Sequence, residues 1–257
     1  MSLKEEIFEQ PAALRRLIQE GRAEITDAAK EIRDADPSYV FIAARGTSDN
    51  AGRYASYLWG AANRLPVALA TPSLFTYYDS PPLLRNALVM GISQSGQSPD
   101  IVSVVAEGKK QGARTLALVN IVDSPLARTA DQVVDIRAGQ ESAVAATKTY
   151  TAELMAIAML SCALAPNHPE RWDEIAQVPD WADEVLKLDG EIERLAQRFR
   201  YMERCVVLGR GFNYATAFEW SLKLKELTYL VAEPYSTADF QHGPIAMVER
   251  GFPVLAV

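Results

Sequence analysis

Ser93-Gln94-Ser95-Gly96-Gln97-Ser98 crowds three hydroxyls, two amides and a glycine into one short stretch. An apolar run at 86–90 precedes it. Pro99 and Asp100 then open a segment with helical apolar spacing at Ile101, Val104 and Val105. The stretch therefore reads as a strand-to-helix turn, where an open α/β sheet binds ligands and a helix N-terminus favours an anion. Ser93, Ser95 and Ser98 can each donate to a phosphate oxygen, and the N–H groups of residues 94–98, Gln94 included, can form an anion-binding nest. Gly96 permits the left-handed backbone that such a loop needs. The chemistry suggested is a phosphate cradle built without lysine; the plainer reading is a polar loop with a capping serine. Arg45-Gly46-Thr47-Ser48 is a second hydroxyl turn after another apolar run, and two such turns in one sheet are more specific than either alone.

A second cluster falls on a helix expected over 212–231. Glu219, Lys223 and Glu226 share one face at i, i+4 and i+7, with Trp220, Leu224, Leu227 and Val231 as an apolar stripe. A base and a cation one turn apart suit proton abstraction beside a carbonyl. An exposed, salt-bridged helix face has the same pattern, and by spacing alone it is the favoured reading. His242, in Phe240-Gln241-His242-Gly243-Pro244, is either a general acid/base or a structural loop histidine. The small-residue stretch from Gly139 to Lys148, which includes Val144, enters a long apolar helix at 147–164. It can close over a ligand, or simply cap the helix through Ser142.

The elements that must position these residues alternate. Apolar strands at 39–44, 67–70, 86–90, 115–119 and 133–136 are separated by helices and short turns. That pattern predicts a parallel sheet with helices on both faces. One amphipathic helix is expected over 170–200. Cys205-Val206-Val207-Leu208-Gly209-Arg210-Gly211 then repeats the strand-Arg-Gly pattern at 41–46 with an offset of 165 residues. The strand before the serine turn recurs at 252–257, so the second copy is expected to be incomplete, with two strands. The expected fold class is α/β, two tandem doubly wound layers. The expected divisions are a helical arm at 1–34, a first domain at 35–168, and a linker helix with the start of a second domain at 169–257. Pro11 marks either a break in the arm or the first turn of a helix, and the arm is read as packing, with little chemistry.

Net charge is −7 with no basic run, which argues against a nucleic-acid surface. Cys162 and Cys205 sit in apolar stretches and read as buried thiols. The two histidines are far apart in sequence, so no metal and no cofactor is expected. No apolar run reaches transmembrane length and residues 1–30 carry charge throughout, so no membrane association is expected and the cytoplasm is the expected compartment.

The motifs at 45–48, 93–96, 141–148, 222–226 and 241–244 occur in an order that resembles the sugar isomerase (SIS) domain family. The closer resemblance is to the isomerase half of glutamine–fructose-6-phosphate aminotransferases and to stand-alone glucosamine-6-phosphate deaminase-like proteins. It implies two SIS subdomains, each a five-stranded parallel sheet, in a homodimer. It also implies a small-molecule phosphosugar as ligand. By this resemblance Ser93, Gln94, Ser95 and Ser98 hold the phosphate, while Ser48, beside Thr47, and Val144 line the sugar. Glu226 moves a proton between C1 and C2, Lys223 stands beside it, and His242 opens the ring in the neighbouring subunit's site. Two departures stand out: no cysteine precedes Cys162 to lead a glutaminase, and the chain ends before the family's Schiff-base lysine. The implied activity is conversion of a hexosamine 6-phosphate to a ketose phosphate. The other implied reading is a phosphosugar-binding SIS regulator without chemistry.

Overall fold

The apolar runs at 39–44 and 86–90 become neighbouring strands at the middle of a parallel sheet. The computed structural model describes residues 2–257 and divides into two compact units, 1–180 and 181–257. In the first, helix α1 (Leu3–Phe8) starts at a capping box between Ser2 and Glu5, and α2 (Gln10–Ala35) carries Pro11 in its first turn. Then come β1 (Tyr39–Ala43), α3 (Thr47–Asn63), β2 (Val67–Leu69), α4 (Ser73–Thr76) and β3 (Ala87–Ser93). The unit continues with α5 (Pro99–Lys110), β4 (Arg114–Val119), α6 (Pro125–Thr129), β5 (Gln132–Asp135) and α7 (Lys148–Leu164). The five strands run parallel in the order β2-β1-β3-β4-β5. Between β1 and β3 the winding direction reverses, and this is the point at which such sheets leave a crevice beyond their carboxyl ends. The two hydroxyl turns follow these two strands.

All seven residues of β3 are buried, so both faces of the sheet are covered. On one face Val89, Ala117 and Val119 pack with Ile101, Val104 and Val105 of α5 and Leu126 of α6. On the other, α2 and α3 lie against α7. Trp59, fully buried, donates its indole N–H to the Ile157 carbonyl at 3.1 Å, and Asn63 exchanges hydrogen bonds with Ser161 at 2.9 and 2.6 Å. Buried polar tips thus fix how α3 sits against the largely apolar α7. Cys162 and Cys205 are free and buried, and burial pushes both thiols up, away from the reactive thiolate.

Asp131 ties the sheet to α5. Its carboxylate accepts from the Thr115 N–H and hydroxyl, at 3.2 and 2.8 Å, and pairs with Lys109 at 2.9 Å. Burial pushes this carboxyl up, but the Lys109 ammonium and the Thr115 bonds together outweigh it and hold it below the usual aspartate range. A lowered native pKa contributes stability above the unfolded value and loses it as pH falls through the native one. Asp131→Asn is therefore expected to lower the melting temperature at neutral pH, with the gap to the unsubstituted chain closing as pH drops below about 4. A gap independent of pH would show that the carboxylate charge is not involved.

Helix α8 (Glu170–Leu186) crosses the division between the units, and α9 (Asp189–Ala196) follows with a 3-10 turn at 197–199. The single helix expected over 170–200 is thus broken at residues 187–188. The second unit continues with β6 (Arg204–Gly209), α10 (Phe212–Thr228), β7 (Val231–Ser236), α11 (Thr237–Phe240) and β8 (Val254–Ala256). Its sheet is parallel in the order β7-β6-β8, so it has three strands where two were expected. The missed strand is β7. Glu233 and Pro234 interrupt its apolar run, and Val231 falls within the helix expected over 212–231. The repeat would have located it, because its counterpart at the 165-residue offset is β2. That repeat is close in backbone as well as sequence. Helices α3 and α10 begin and end at the same offset. Their N-cap glycines, Gly46 and Gly211, share φ of 55° and 63°, and their C-caps, Arg64 and Tyr229, share φ of 55° and 59°.

Candidate functional site

The serine turn is tightly bonded to itself. Ser93, at the end of β3, is buried and its Oγ accepts the Gly96 N–H at 3.1 Å, while the Ser95 Oγ accepts the Gln97 N–H at 3.3 Å. Two of the N–H groups expected to line a nest are therefore engaged within the turn. What Ser93 and Ser95 retain for an incoming anion is their hydroxyl hydrogens. Ser98 is the N-cap of α5 with extended backbone, and its side chain makes no cap bond. The backbone carbonyl of Gln94 accepts from the Asn120 N–H and that of Gly96 from the Leu126 N–H, both at 3.1 Å, which ties the turn to the loop after β4 and to the first turn of α6. Gly96 has φ of 61°, and a Cβ there would lie 2.1 Å from the Ser124 Oγ. A cleft of about 500 Å³ beyond β3–β5 is bordered by Gln94, Asn120, Arg137 and Glu141; Ser93, Ser95 and Ser98 do not line it.

The first hydroxyl turn meets the second directly. Arg45 Nε lies 2.6 Å from Asp100 Oδ2, so the guanidinium neutralises the acidic residue in the first turn of α5. Without that partner Asp100 would oppose an anion at the same helix end. Thr47 opens α3 half-buried. Ser48 is buried, and its hydroxyl donates to Glu153 Oε1 at 2.8 Å. Glu153 is the single acidic residue of α7 and is 1% exposed. A lone carboxylate in a long apolar helix was the available sequence signal for it, and sequence reasoning passed over it.

The loop at 139–147 is held differently from the expected serine cap. Thr147 is the N-cap of α7, and it is Glu141 that caps the helix. Its carboxylate accepts from the Thr147 N–H and hydroxyl at 2.8 and 2.9 Å and from the Thr149 hydroxyl. Val144, between these bonds and the rest of the loop, is 100% exposed. The N-terminal arm also carries more chemistry than expected. Glu6, fully buried, accepts from the Ser142 and Ala143 N–H groups, and Glu9 pairs with buried Lys148.

In the second unit the structure brings Glu219, Lys223 and Glu226 together on α10. Lys223 Nζ lies 3.2 Å from Glu219 Oε1 and 2.8 Å from Glu226 Oε2. The two carboxylates differ in access: the Glu219 side chain is 8% exposed and the Glu226 side chain 33%. The expected apolar stripe is not the buried face. Trp220, Leu227 and Val231 are exposed, whereas Ala217 and Ser221 are buried and Leu224 packs with the core of β6 and β7. The Ser221 hydroxyl donates to the Ala232 carbonyl at 2.6 Å, which pins α10 to β7. His242 follows α11, exposed, with its backbone N–H bonded to the Asp239 carbonyl at 3.0 Å. No helix among the described residues is long and apolar enough to cross a membrane.

The sequence pattern of the SIS domain matches residues 31–163 and 199–257. The isomerizing glutamine–fructose-6-phosphate aminotransferase of Mycobacterium bovis (strain ATCC BAA-935 / AF2122/97) is 38% identical over 271 aligned positions, covering 98% of this chain and 42% of the relative. The chain thus spans less than half the length of the curated relatives it matches. Among solved structures, a protein of Silicibacter pomeroyi DSS-3, provisionally named a phosphosugar isomerase, superposes with a TM-score of 0.91 at 38% identity, covering 98% of this chain and 76% of the other. The C-terminal domain of glucosamine-fructose-6-phosphate aminotransferase from Francisella tularensis superposes with a TM-score of 0.85 at 32% identity, covering 98% and 74%. With the family pattern matched across most of its length and the parallel layer, the hydroxyl turns and the repeat all present, this chain belongs to the SIS domain family.

Proposed function

We propose that the chain is a phosphosugar isomerase acting on a hexosamine 6-phosphate, converting glucosamine 6-phosphate and water to fructose 6-phosphate and ammonia. The observation that carries the reading is the pairing of Lys223 with a buried and an accessible carboxylate on the same helix. A purely structural ion pair needs one carboxylate. Here Glu219 compensates the Lys223 charge from within, which leaves Glu226 accessible to exchange a proton. Ser93, Ser95 and Ser98, with the backbone near Gln94, hold the phosphate; Thr47, Ser48 and Val144 face the sugar chain.

In this reading His242 transfers the proton that opens the ring, serving the neighbouring subunit of a homodimer. Glu226 removes the C2 proton of the open aldose and returns it to C1, giving the 2-imine of the ketose. Water adds to that imine and ammonia leaves, so atoms balance without an external oxidant. Lys223 stabilises the negative charge that develops on the sugar oxygen. The test is incubation of the purified chain with glucosamine 6-phosphate, following ammonia and fructose 6-phosphate together. Both are expected in equal amounts. Phosphosugar binding without any product would replace this reading with that of a binding module.

A further inference from the structure

Val144 is a branched aliphatic side chain held wholly in solvent, which gains the fold nothing by burial. Yet its backbone is braced on both sides. Behind it the Glu6 carboxylate takes the Ser142 N–H at 2.5 Å and the Ala143 N–H at 3.1 Å. Ahead of it Glu141 takes the Thr147 N–H at 2.8 Å, and Glu9 holds Lys148. Burying a carboxylate as completely as Glu6 is costly unless its oxygens are bonded, and both oxygens are spent on this one loop. A chain that fixes an exposed aliphatic residue so firmly is shaped for something that covers it later.

We infer that Glu6 of the N-terminal arm, seconded by Glu9, is a positioning residue that holds the 139–147 loop in the shape that meets the sugar portion of a phosphosugar. The inference rests on the phosphosugar reading above. It assigns the arm a part in substrate affinity, separate from the anchoring of phosphate by the serine turn. In Glu6→Gln one oxygen remains to accept an N–H, while the new NH₂ faces the other N–H donor, so the loop loses one bond and gains a repulsive contact. The fold should survive, because the arm keeps the α2 packing on α7.

The test measures fructose 6-phosphate and inorganic phosphate binding by calorimetry, with amide exchange at Ser142 and Ala143, in the unsubstituted chain and in Glu6→Gln. Fructose 6-phosphate is expected to bind about tenfold more weakly in the variant, a change of about 1.4 kcal/mol. Inorganic phosphate, which does not reach the loop, is expected to bind equally, and the two amides are expected to exchange faster. Equal weakening of both ligands would mark a general structural loss and overturn the inference. So would unchanged fructose 6-phosphate binding. Failure of the unsubstituted chain to bind either ligand would instead overturn the phosphosugar reading, and unchanged amide protection would then overturn the clamp as well.

Discussion

Glu226→Gln is expected to lower turnover of glucosamine 6-phosphate by roughly 10²–10⁴-fold, the usual contribution of a positioned general base. That range corresponds to about 3–5 kcal/mol of transition-state stabilisation. The substitution is nearly isosteric. Its amide oxygen can still accept from Lys223 Nζ, which lies 2.8 Å from Glu226 Oε2, and Glu219 continues to compensate that ammonium. Helix α10 therefore keeps its place on β7, and fructose 6-phosphate affinity is expected to change by less than about twofold, because only proton transfer is removed. Glu219→Gln should behave in the opposite way. Its carboxylate is buried against Lys223, so the loss should register in melting temperature before it registers in the chemical step. Steady-state kinetics beside thermal melts separate the two. Turnover retained in Glu226→Gln would remove Glu226 as the base.

Much of the first unit was readable because its signals are local. The strands at 39–44 and 86–90 are continuous apolar runs, and a β-α alternation with short turns admits few topologies. The two hydroxyl turns stood out because polar residues interrupt those runs at a fixed place. The order β2-β1-β3-β4-β5 then sets both turns at the reversal of winding, which no single turn could announce. The repeat was legible at the Arg-Gly dipeptides, where a positive φ favours glycine at 46 and 211. It is fainter at β7, whose Glu233 and Pro234 break the apolar pattern.

What sequence could not supply were bonds between distant segments. Glu6 and Ser142 are 136 residues apart, and in LKEEIF the buried glutamate looks like its exposed neighbours. The cap of α7 is hidden in the same way. Ser142 is the residue type preferred at a cap, but the loop turns so that Thr147 takes the N-cap and a carboxylate from six residues back satisfies it. On α10, hydrophobic periodicity pointed to Trp220 and Leu227 as the inner face. Small residues, Ala217 and Ser221, lie there instead, and they allow the helix to approach β7 closely enough for the Ser221 hydroxyl to reach the Ala232 carbonyl.

The serine turn offers the second large effect, through Gly96→Ala. A left-handed φ of 61° costs an L-residue roughly 1–2 kcal/mol by itself. The added Cβ would also lie 2.1 Å from the Ser124 Oγ and 2.5 Å from the Ser124 Cβ. Rotating the Ser124 hydroxyl away relieves only the first of these contacts, since the Cβ is fixed to the backbone. It also gives up the 3.3 Å bond by which that hydroxyl accepts the Ala127 N–H and caps α6, worth about 1 kcal/mol. The turn must therefore move, and the Gly96 carbonyl that receives the Leu126 N–H moves with it. A total loss of about 2–4 kcal/mol is expected, or a fall in melting temperature of about 5–15 °C for a unit of this size. Because Ser93 accepts the Gly96 N–H at 3.1 Å, its hydroxyl is displaced together with the glycine. Fructose 6-phosphate affinity should then fall by about tenfold or more, with inorganic phosphate weakened in parallel. Gln97→Ala, one residue on and exposed, should leave both melting and affinity unchanged. If Gly96→Ala melts like the unsubstituted chain, the turn is not held against Ser124. If it melts early yet binds phosphate as before, the serine hydroxyls do not depend on the shape of this turn, and the anion is held elsewhere.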